Sequence, residues 1–299
     1  MSTFNRISPL VSVVLCTYND EKYIAETIQS VLSQTFCDFE FIIWNDGSTD
    51  STEDIIKSYS DSRIRYFYHE NTGLGIALSL ACKEAQGKYI ARIDGDDICL
   101  PHRLQTEFDY LECNTNVVLV SSSVIYINEK GEQLGRSFPW TWHRNILHCI
   151  NIVHPATMYR TDIYKQTCGY LNVLACEDRI LWANMKKYGK FHIIKEPLIM
   201  YRVLSTSLSH VIDINSPYSR MLEIIRTKMT ADDIVKEEDI KLQNLVYRLS
   251  KKKNVVAQPY VYKSSVEERL FSLLHYLLPE KLAANIVFFL KNIYAYLRY

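Results

Sequence analysis

Three carboxylates, Asp94, Asp96 and Asp97, fall within four positions at the end of the run GKYIARIDGDD. Charges of one sign this close repel, so a chain that packs them together usually neutralises them with a cation. Hard oxygen ligands suit Mg2+ or Mn2+, and Mg2+ takes one or two carboxylates and leaves its other positions to phosphate and water. At a strand end facing a nucleotide crevice the cluster reads as a diphosphate–metal site. Its plainer reading is a solvated acidic turn. Two other polar clusters follow apolar runs, CTYND at 16–20 and NDGSTD at 45–50. Thr17 and Asn19 could simply cap a helix starting near Asp20, and NDGSTD makes a good turn followed by an N-cap.

The elements around these clusters decide between the readings. VSVVLC (11–16), FEFIIW (39–44), RIRYFY (63–68) and KYIARI (88–93) are strand-like in length and rich in β-branched and aromatic residues. Between them, Ile24, Ile28, Val31 and Leu32 keep the period of one helix face, and Leu74, Ala77, Leu78, Ala81 and Ala85 that of another. VVLVSSSVIYI (117–127) adds a strand and NEKG (128–131) a turn. Repeated strand–helix alternation predicts a mostly parallel sheet covered by helices on both faces. In such a sheet the strand C-termini share one edge, and ligands bind in the crevice beside it. The three polar clusters follow the first, second and fourth strands and are therefore expected to converge. No G-x-x-x-x-G-K-[ST] is present and the first loop lacks G-x-G-x-x-G, which disfavours a P-loop kinase or a dinucleotide dehydrogenase.

The whole chain sets the limits. Its 299 residues carry 34 basic and 34 acidic side chains, so no general case exists for nucleic-acid binding. That length suits one large α/β domain or a domain plus an appendage, and 47% hydrophobic residues argue for a packed globular chain. None of the eight cysteines lies in a C-x-x-C pair, which reads as reduced and cytosolic. No apolar run reaches the 18 or so residues of a membrane span. The pattern changes near Ser216, dividing a catalytic domain (1–215) from a helical C-terminal region (216–299). Between Arg248 and Tyr299, nine Lys/Arg stand against three Glu, a net +6. With Phe288, Phe289, Tyr294, Tyr296 and Tyr299, that charge suits contact of 264–299 with the inner face of a membrane. The alternative is that the stripe of Leu282, Ile286, Leu290, Ile293 and Leu297 packs on the catalytic domain.

The ordered set VSVVLCTYND, FEFIIWNDGSTDST, ENTGLGIAL, GKYIARIDGDDICLPHRLQ, HPATMYR, EDRILW and EPLIMYR resembles the family 2 glycosyltransferases over residues 9 to 209. The resemblance implies a GT-A fold and inverting transfer of a sugar from a nucleotide-sugar, most often a UDP-sugar, to an acceptor hydroxyl. It implies that Thr17 and Tyr18 line the base pocket, with Tyr18 packed on the ring, and that Asp46 accepts a hydrogen bond from uracil N3–H. Asp94 and Asp96 match the D-x-D element, Asp94 against the ribose and Asp96 on the metal, while Asp97 shapes the donor site. Asn19, Asn71, Gly73, Arg92, Gly95 and Arg202, within the same motifs, complete the expected donor-binding set. Glu177 and Asp178 match the late acidic pair, Asp178 in the position of the general base. Trp182, one turn on, reads equally as an apolar wall for the sugar or acceptor and as a core side chain.

Three positions depart from the pattern: Ser79 stands where many relatives carry Asn, Leu204 where many carry a metal- or diphosphate-binding His, and Arg179 where an aromatic is common. His154 and His210 could substitute as the third ligand; either also reads as structural. Two rival readings remain: a nucleotidyltransferase, whose Gly-rich basic loop CTYND lacks, and an inactive nucleotide-sugar-binding module. The acceptor is expected to be a glycan or lipid-linked molecule in surface-polysaccharide assembly.

Overall fold

The computed structural model describes residues 8–137, 152–173 and 177–204, all within one compact unit. The expected boundary at 215/216, the C-terminal helices, their membrane face and His210 lie outside the described residues. Among the described residues no helix is long and apolar enough to cross a membrane.

Strands β1 (Val11–Thr17), β2 (Phe39–Asn45), β3 (Ile64–Tyr68) and β4 (Tyr89–Asp94) alternate with helices α1 (Ile24–Leu32), α2 (Thr52–Lys57) and α3 (Leu74–Lys83). They pair in parallel in the order β3-β2-β1-β4. The chain continues through β5 (Ile98–Cys99), α4 (Arg103–Cys113), β6 (Val117–Ile127), β7 (Gln133–Arg136), β8 (Met158–Arg160), α5 (Thr161–Gln166), α6 (Glu177–Met185) and β9 (Lys190–Arg202). The sheet extends as β4-β8-β6-β9-β5, with β7 hairpinned onto β6. The longest ladders are parallel, including β6 with β9, while β8, β5 and β7 join antiparallel.

Side-chain alternation along β1 builds the two cores. Val11, Val13 and Leu15 pack with Ile24, Ile28 and Val31 of α1 on one face. Val14 and Cys16 pack with Ala77, Leu78 and Ala81 of α3 on the other, together with Leu181, Trp182 and Met185 of α6. Full burial of each large apolar side chain contributes roughly 1.5–3 kcal/mol. Both faces are covered, so β1, β2 and β4 read as near-continuous apolar runs.

Register places the chemistry. Cys16 pairs with Trp44 on one side and Asp94 on the other, and Thr17 pairs with Asn45. The C-terminal ends of β1, β2 and β4 therefore lie abreast, and the three polar loops leave from one edge. The antiparallel β8, paired Ala91 to Met158, brings the preceding turn His154–Ala156 to the same edge.

Candidate active site

The first two loops are stitched into one surface. Asn19 donates its backbone N–H to Ser48 Oγ (3.0 Å), and its Oδ1 accepts from Thr49 N (2.8 Å). Asp20 N donates to Thr52 Oγ1, Glu21 N to Asp50 Oδ2, and Ser51 N to Glu21 Oε2. Asn19 takes the left-handed conformation, φ 59°, which Asn tolerates better than most residues. The helix-cap reading of Thr17 and Asn19 is thereby corrected. The helix begins at Ile24 after a turn closed on Asp20 O, and no side chain caps it. Thr17 Oγ1 instead donates to Asp20 Oδ2 at 2.7 Å. Tyr18 is 48% exposed.

Asp46, buried at the end of β2, ties this surface to the third loop. Its Oδ1 accepts from Thr72 N and Thr72 Oγ1, and its Oδ2 from Gly73 N at 2.9 Å. A carboxylate offers about four acceptor sites, so roughly one remains for a ligand N–H. Asn71 and Gly73 are exposed at the mouth of this loop. Gly47 sits beneath it with φ 77°, and a Cβ there would lie 2.6 Å from Asn71 N. Gly47→Ala combines left-handed strain with a backbone clash and is expected to destabilise the fold by about 2–4 kcal/mol. Urea unfolding measures it; an unchanged midpoint would show that the two loops do not approach this closely.

The RIDGDD segment gathers the acidic groups. A Cβ on Gly95 would come 2.3 Å from Asp20 Oδ2, so glycine lets Asp20 approach the Asp94–Asp97 turn. Burial first, then Asp94 and Asp20, push the Asp96 carboxyl up to about 7. Burial, Asp94 and Asp96 raise Asp97 well above the carboxylate range. Burial and Asp94 raise Asp20, against the opposing Thr17 hydrogen bond. Asp97 Oδ1 accepts from Arg202 N at 2.8 Å, while its buried Oδ2 has no partner. Asp20 was missed as a site residue in the sequence, where N-D after a strand reads as a cap; only the approach of Gly95 shows its place.

This donor set fits a divalent cation. Neighbouring carboxylates raise the proton affinity of Asp20, Asp96 and Asp97, which a positive charge among them would relieve. Among the described residues no three His, Cys, Asp or Glu side chains are arranged to hold a metal ion alone. Asp94 and Asp96 would supply one or two ligands and a bound diphosphate the others, as Mg2+ chemistry favours.

Arg202 has a different place from the one expected. It is buried, and its Nε donates to Asp96 O, its Nη1 to Asn128 O and Glu129 O, and its Nη2 to Glu26 Oε2 at 2.6 Å. These bonds clamp the acidic turn between α1, β6 and β9 and leave little of the guanidinium for a phosphate. Arg202→Met strips three carbonyls of their donor and is expected to cost about 3–5 kcal/mol, with Arg202→Lys recovering only part. Chemical denaturation reads this, and a loss below 1 kcal/mol would refute the clamp.

Arg92, also buried, spans the floor. Its Nη2 pairs with Asp94 Oδ1, its Nη1 donates to Ile93 O, and its Nε has no partner. Glu177 and Asp178, the first residues of α6, interact electrostatically with this floor, Glu177 with Arg92 and Asp94 and Asp178 with Asp94. Burial and then Asp178 push Glu177 up to about 7, opposed by Arg92. Burial raises Asp178 too, opposed by Arg179 and by the Arg179 N–H that Asp178 Oδ1 accepts at 2.7 Å. Trp182 takes the core place: it is fully buried, edge-on to His154 and Tyr159. Its ring offers no face to a sugar. Leu204 lies two residues beyond β9, and among the described histidines only His154 reaches this acidic region, through Glu177.

A mixed, mostly parallel α/β sheet flanked by helices, with an acidic turn at the C-terminal edge of its parallel strands, is the architecture of GT-A transferases. The solved structures agree. S. aureus TarS 1-349 in complex with UDP-GlcNAc superposes with a TM-score of 0.62 at 18% identity, covering 91% of this chain and 82% of TarS. The mannosyltransferase PcManGT of Pyrobaculum calidifontis, in complex with GDP-Man and Mn2+, gives 0.58 at 15% identity, covering 98% and 81%. The sequence matches the model of Glycosyl transferase family 2 over residues 12–167. An uncharacterised glycosyltransferase of Methanocaldococcus jannaschii is 38% identical over 206 residues, 65% of this chain and 71% of that protein. The putative glycosyltransferase EpsE of Bacillus subtilis is 33% identical over 189 residues, 60% and 68% of the two chains. This chain belongs to glycosyltransferase family 2.

Proposed function

We propose that the enzyme moves a sugar from a UDP-sugar to an acceptor hydroxyl with inversion, using Mg2+ or Mn2+ held by Asp94 and Asp96. The observation that carries this reading is the placement of two acidic sets on one edge. The Asp94–Asp96 turn lies with the base-side loops, and Glu177–Asp178 starts a helix whose carboxylates interact with Asp94 and, for Glu177, with Arg92. The partly exposed Tyr18 stacks on the base, and Asp46 keeps about one acceptor site for an imide N–H such as that of uracil.

The cation would neutralise the departing diphosphate as a Lewis acid. The chain's own residues do the remainder. Arg92 holds the Asp94 carboxylate in place, Arg202 fixes the backbone of the turn, and Asp178 takes the acceptor's proton as the hydroxyl attacks. A carboxylate that acts as base on the attacking hydroxyl, and not as nucleophile on the anomeric carbon, gives inversion in a single displacement. The acceptor is a glycan or a lipid-linked hydroxyl, in bacterial surface-polysaccharide assembly.

A thermal-shift panel of UDP-, GDP- and dTDP-sugars, with and without Mn2+, tests the donor assignment. The expected result is stabilisation by UDP-sugars in Mn2+ and little in EDTA. A larger shift with a GDP-sugar would overturn the uracil reading, and equal shifts in EDTA would overturn the metal reading. Release of UDP in a coupled assay would exclude a binding module and a nucleotidyltransferase.

A further inference from the structure

His154 begins a buried chain of proton-bearing groups that has no part in the mechanism above. Its Nε2 lies 2.8 Å from Tyr170 Oη, Tyr170 Oη 3.4 Å from Tyr159 Oη, and Tyr159 Oη 3.6 Å from Cys82 Sγ. At the other end, His154 Nδ1 lies 3.9 Å from Glu177 Oε1, within ion-pair reach and just outside hydrogen-bond length. The imidazole is wedged edge-on against Trp182 and tilted against Tyr170, so packing fixes the ring. The turn carrying it is tied to β4, where Arg92 N donates to Thr157 O at 2.9 Å.

We propose that His154 and Glu177 form a proton-linked dyad in which His154, oriented by Tyr170, is the positioning residue for the acidic pair at the start of α6. The inference rests on the reading of Glu177 and Asp178 as the acceptor-side carboxylates.

Once the 3.9 Å His154–Glu177 contact closes to hydrogen-bond length, a side-chain shift of about 1 Å, every group in the chain can be satisfied in two ways. With Glu177 ionised, Nδ1–H donates to Glu177, and Nε2 accepts from Tyr170, which accepts from Tyr159, which accepts from the Cys82 thiol. With Glu177 protonated, its O–H donates to Nδ1, Nε2–H donates to Tyr170, and each hydroxyl rotates to donate the other way. The two states differ by one proton, gained from or released to solvent, and by the imidazole tautomer. Imidazole is neutral in both.

The surroundings favour that neutral ring. Burial and the facing Arg92 hold His154 well below the usual histidine range. Glu177 faces Asp178 on its own helix, Arg92 and Asp94 from β4, and His154 from the adjacent turn. Asp178 and Asp94 disfavour its charge and Arg92 favours it, after burial. Glu177 therefore changes protonation near neutral pH, where its proton can follow the state of Asp178 beside it.

The test reads the ring directly and needs no substrate. The full chain is labelled with 15N-histidine, and among its eight histidines the His154 signals are assigned by their loss in His154→Gln. Between about pH 5 and pH 9, His154 is expected to stay neutral while its Nδ1 and Nε2 shifts exchange tautomeric character in one step near neutrality. Glu177→Gln is expected to abolish the step. Asp178→Asn is expected to move it to lower pH by removing a like charge. Tyr170→Phe, which preserves the ring packing, is expected to leave mixed tautomers.

Formation of imidazolium at an ordinary histidine pH would overturn the dyad. So would an invariant tautomer in the wild type, or a step that survives in Glu177→Gln. The wild-type titration decides even if a variant fails to fold. If the dyad appears but no nucleotide-sugar binds, only the functional reading falls. With a donor known, Tyr170→Phe should also shift the pH profile of kcat while leaving KM near wild type, a split that mere destabilisation would not produce.

Discussion

Asp178→Asn is expected to lower kcat by about 10²–10⁴-fold, the usual loss of general-base help, with donor affinity unchanged. The structure makes this a clean substitution. Asp178 Oδ1 accepts the Arg179 N–H at 2.7 Å, a bond the asparagine carbonyl can keep. Burial raises the Asp178 carboxyl, so its folded pKa lies above its unfolded one. For such a group the acid form favours folding, and stability is lost as pH rises through the interval between the two values. At neutral pH and above, the ionised carboxylate therefore costs stability and the neutral amide relieves that cost. The variant should melt at the wild-type temperature or slightly above it while losing turnover. A purely structural carboxylate at the helix start would behave otherwise, contributing about 0.3–1 kcal/mol through the helix dipole and nothing to rate. Once donor and acceptor are in hand, kcat within about threefold of wild type would refute the base assignment.

How much of this was readable beforehand follows from the range of each interaction. The strands at 11–16, 39–44, 88–93 and 117–127 end within a residue of their expected positions, because both faces of the sheet are covered and most of their side chains are buried and apolar. Strands β8 and β5, of three and two residues, carry no periodicity to detect. Strand β9 contains Pro197 at a shift of register with β6, which breaks the alternation a reader would seek. The convergence of CTYND, NDGSTD and DGDD was legible because parallel topology alone dictates it.

The roles of single side chains were less legible. Arg202 sits in a motif where a cation suggests phosphate, yet its partners Glu26, Asp96, Asn128 and Glu129 are distant in sequence and visible only once folded. Asp20 needed a glycine 75 positions away to enter the acidic cluster. Trp182 had two even readings, and zero exposure selects the core. His154 reads from sequence as a substitute metal ligand or a structural side chain, and the structure turns it toward Glu177 and Tyr170. Helical spacing and loop composition describe neighbours along the chain, and these four residues take their meaning from neighbours across it.

Asp96→Ala is expected to remove the Mn2+-dependent part of UDP binding altogether and to leave the unliganded protein no less stable. The second half follows from the crowding of Asp20, Asp94, Asp96 and Asp97. Burial, Asp94 and Asp20 push Asp96 up to about 7, so its charge is unfavourable in the free enzyme. Its backbone carbonyl, not its side chain, holds Arg202, so the clamp on the turn survives truncation. The first half follows from charge: without a cation between them, an acidic turn repels a diphosphate. For the wild type, ligand at 100 times its Kd adds about 2.7 kcal/mol to stability, a shift of several degrees in a chain of this size. The variant should show that shift neither in Mn2+ nor in EDTA. The contrast with Asp178→Asn separates the two acidic sets, one damaging donor binding and the other only turnover. An Asp96→Ala protein that still gains the wild-type shift from UDP and Mn2+ would remove Asp96 from the metal site. A large fall in its unliganded melting temperature would instead show that the side chain supports the turn, against the repulsion argued here.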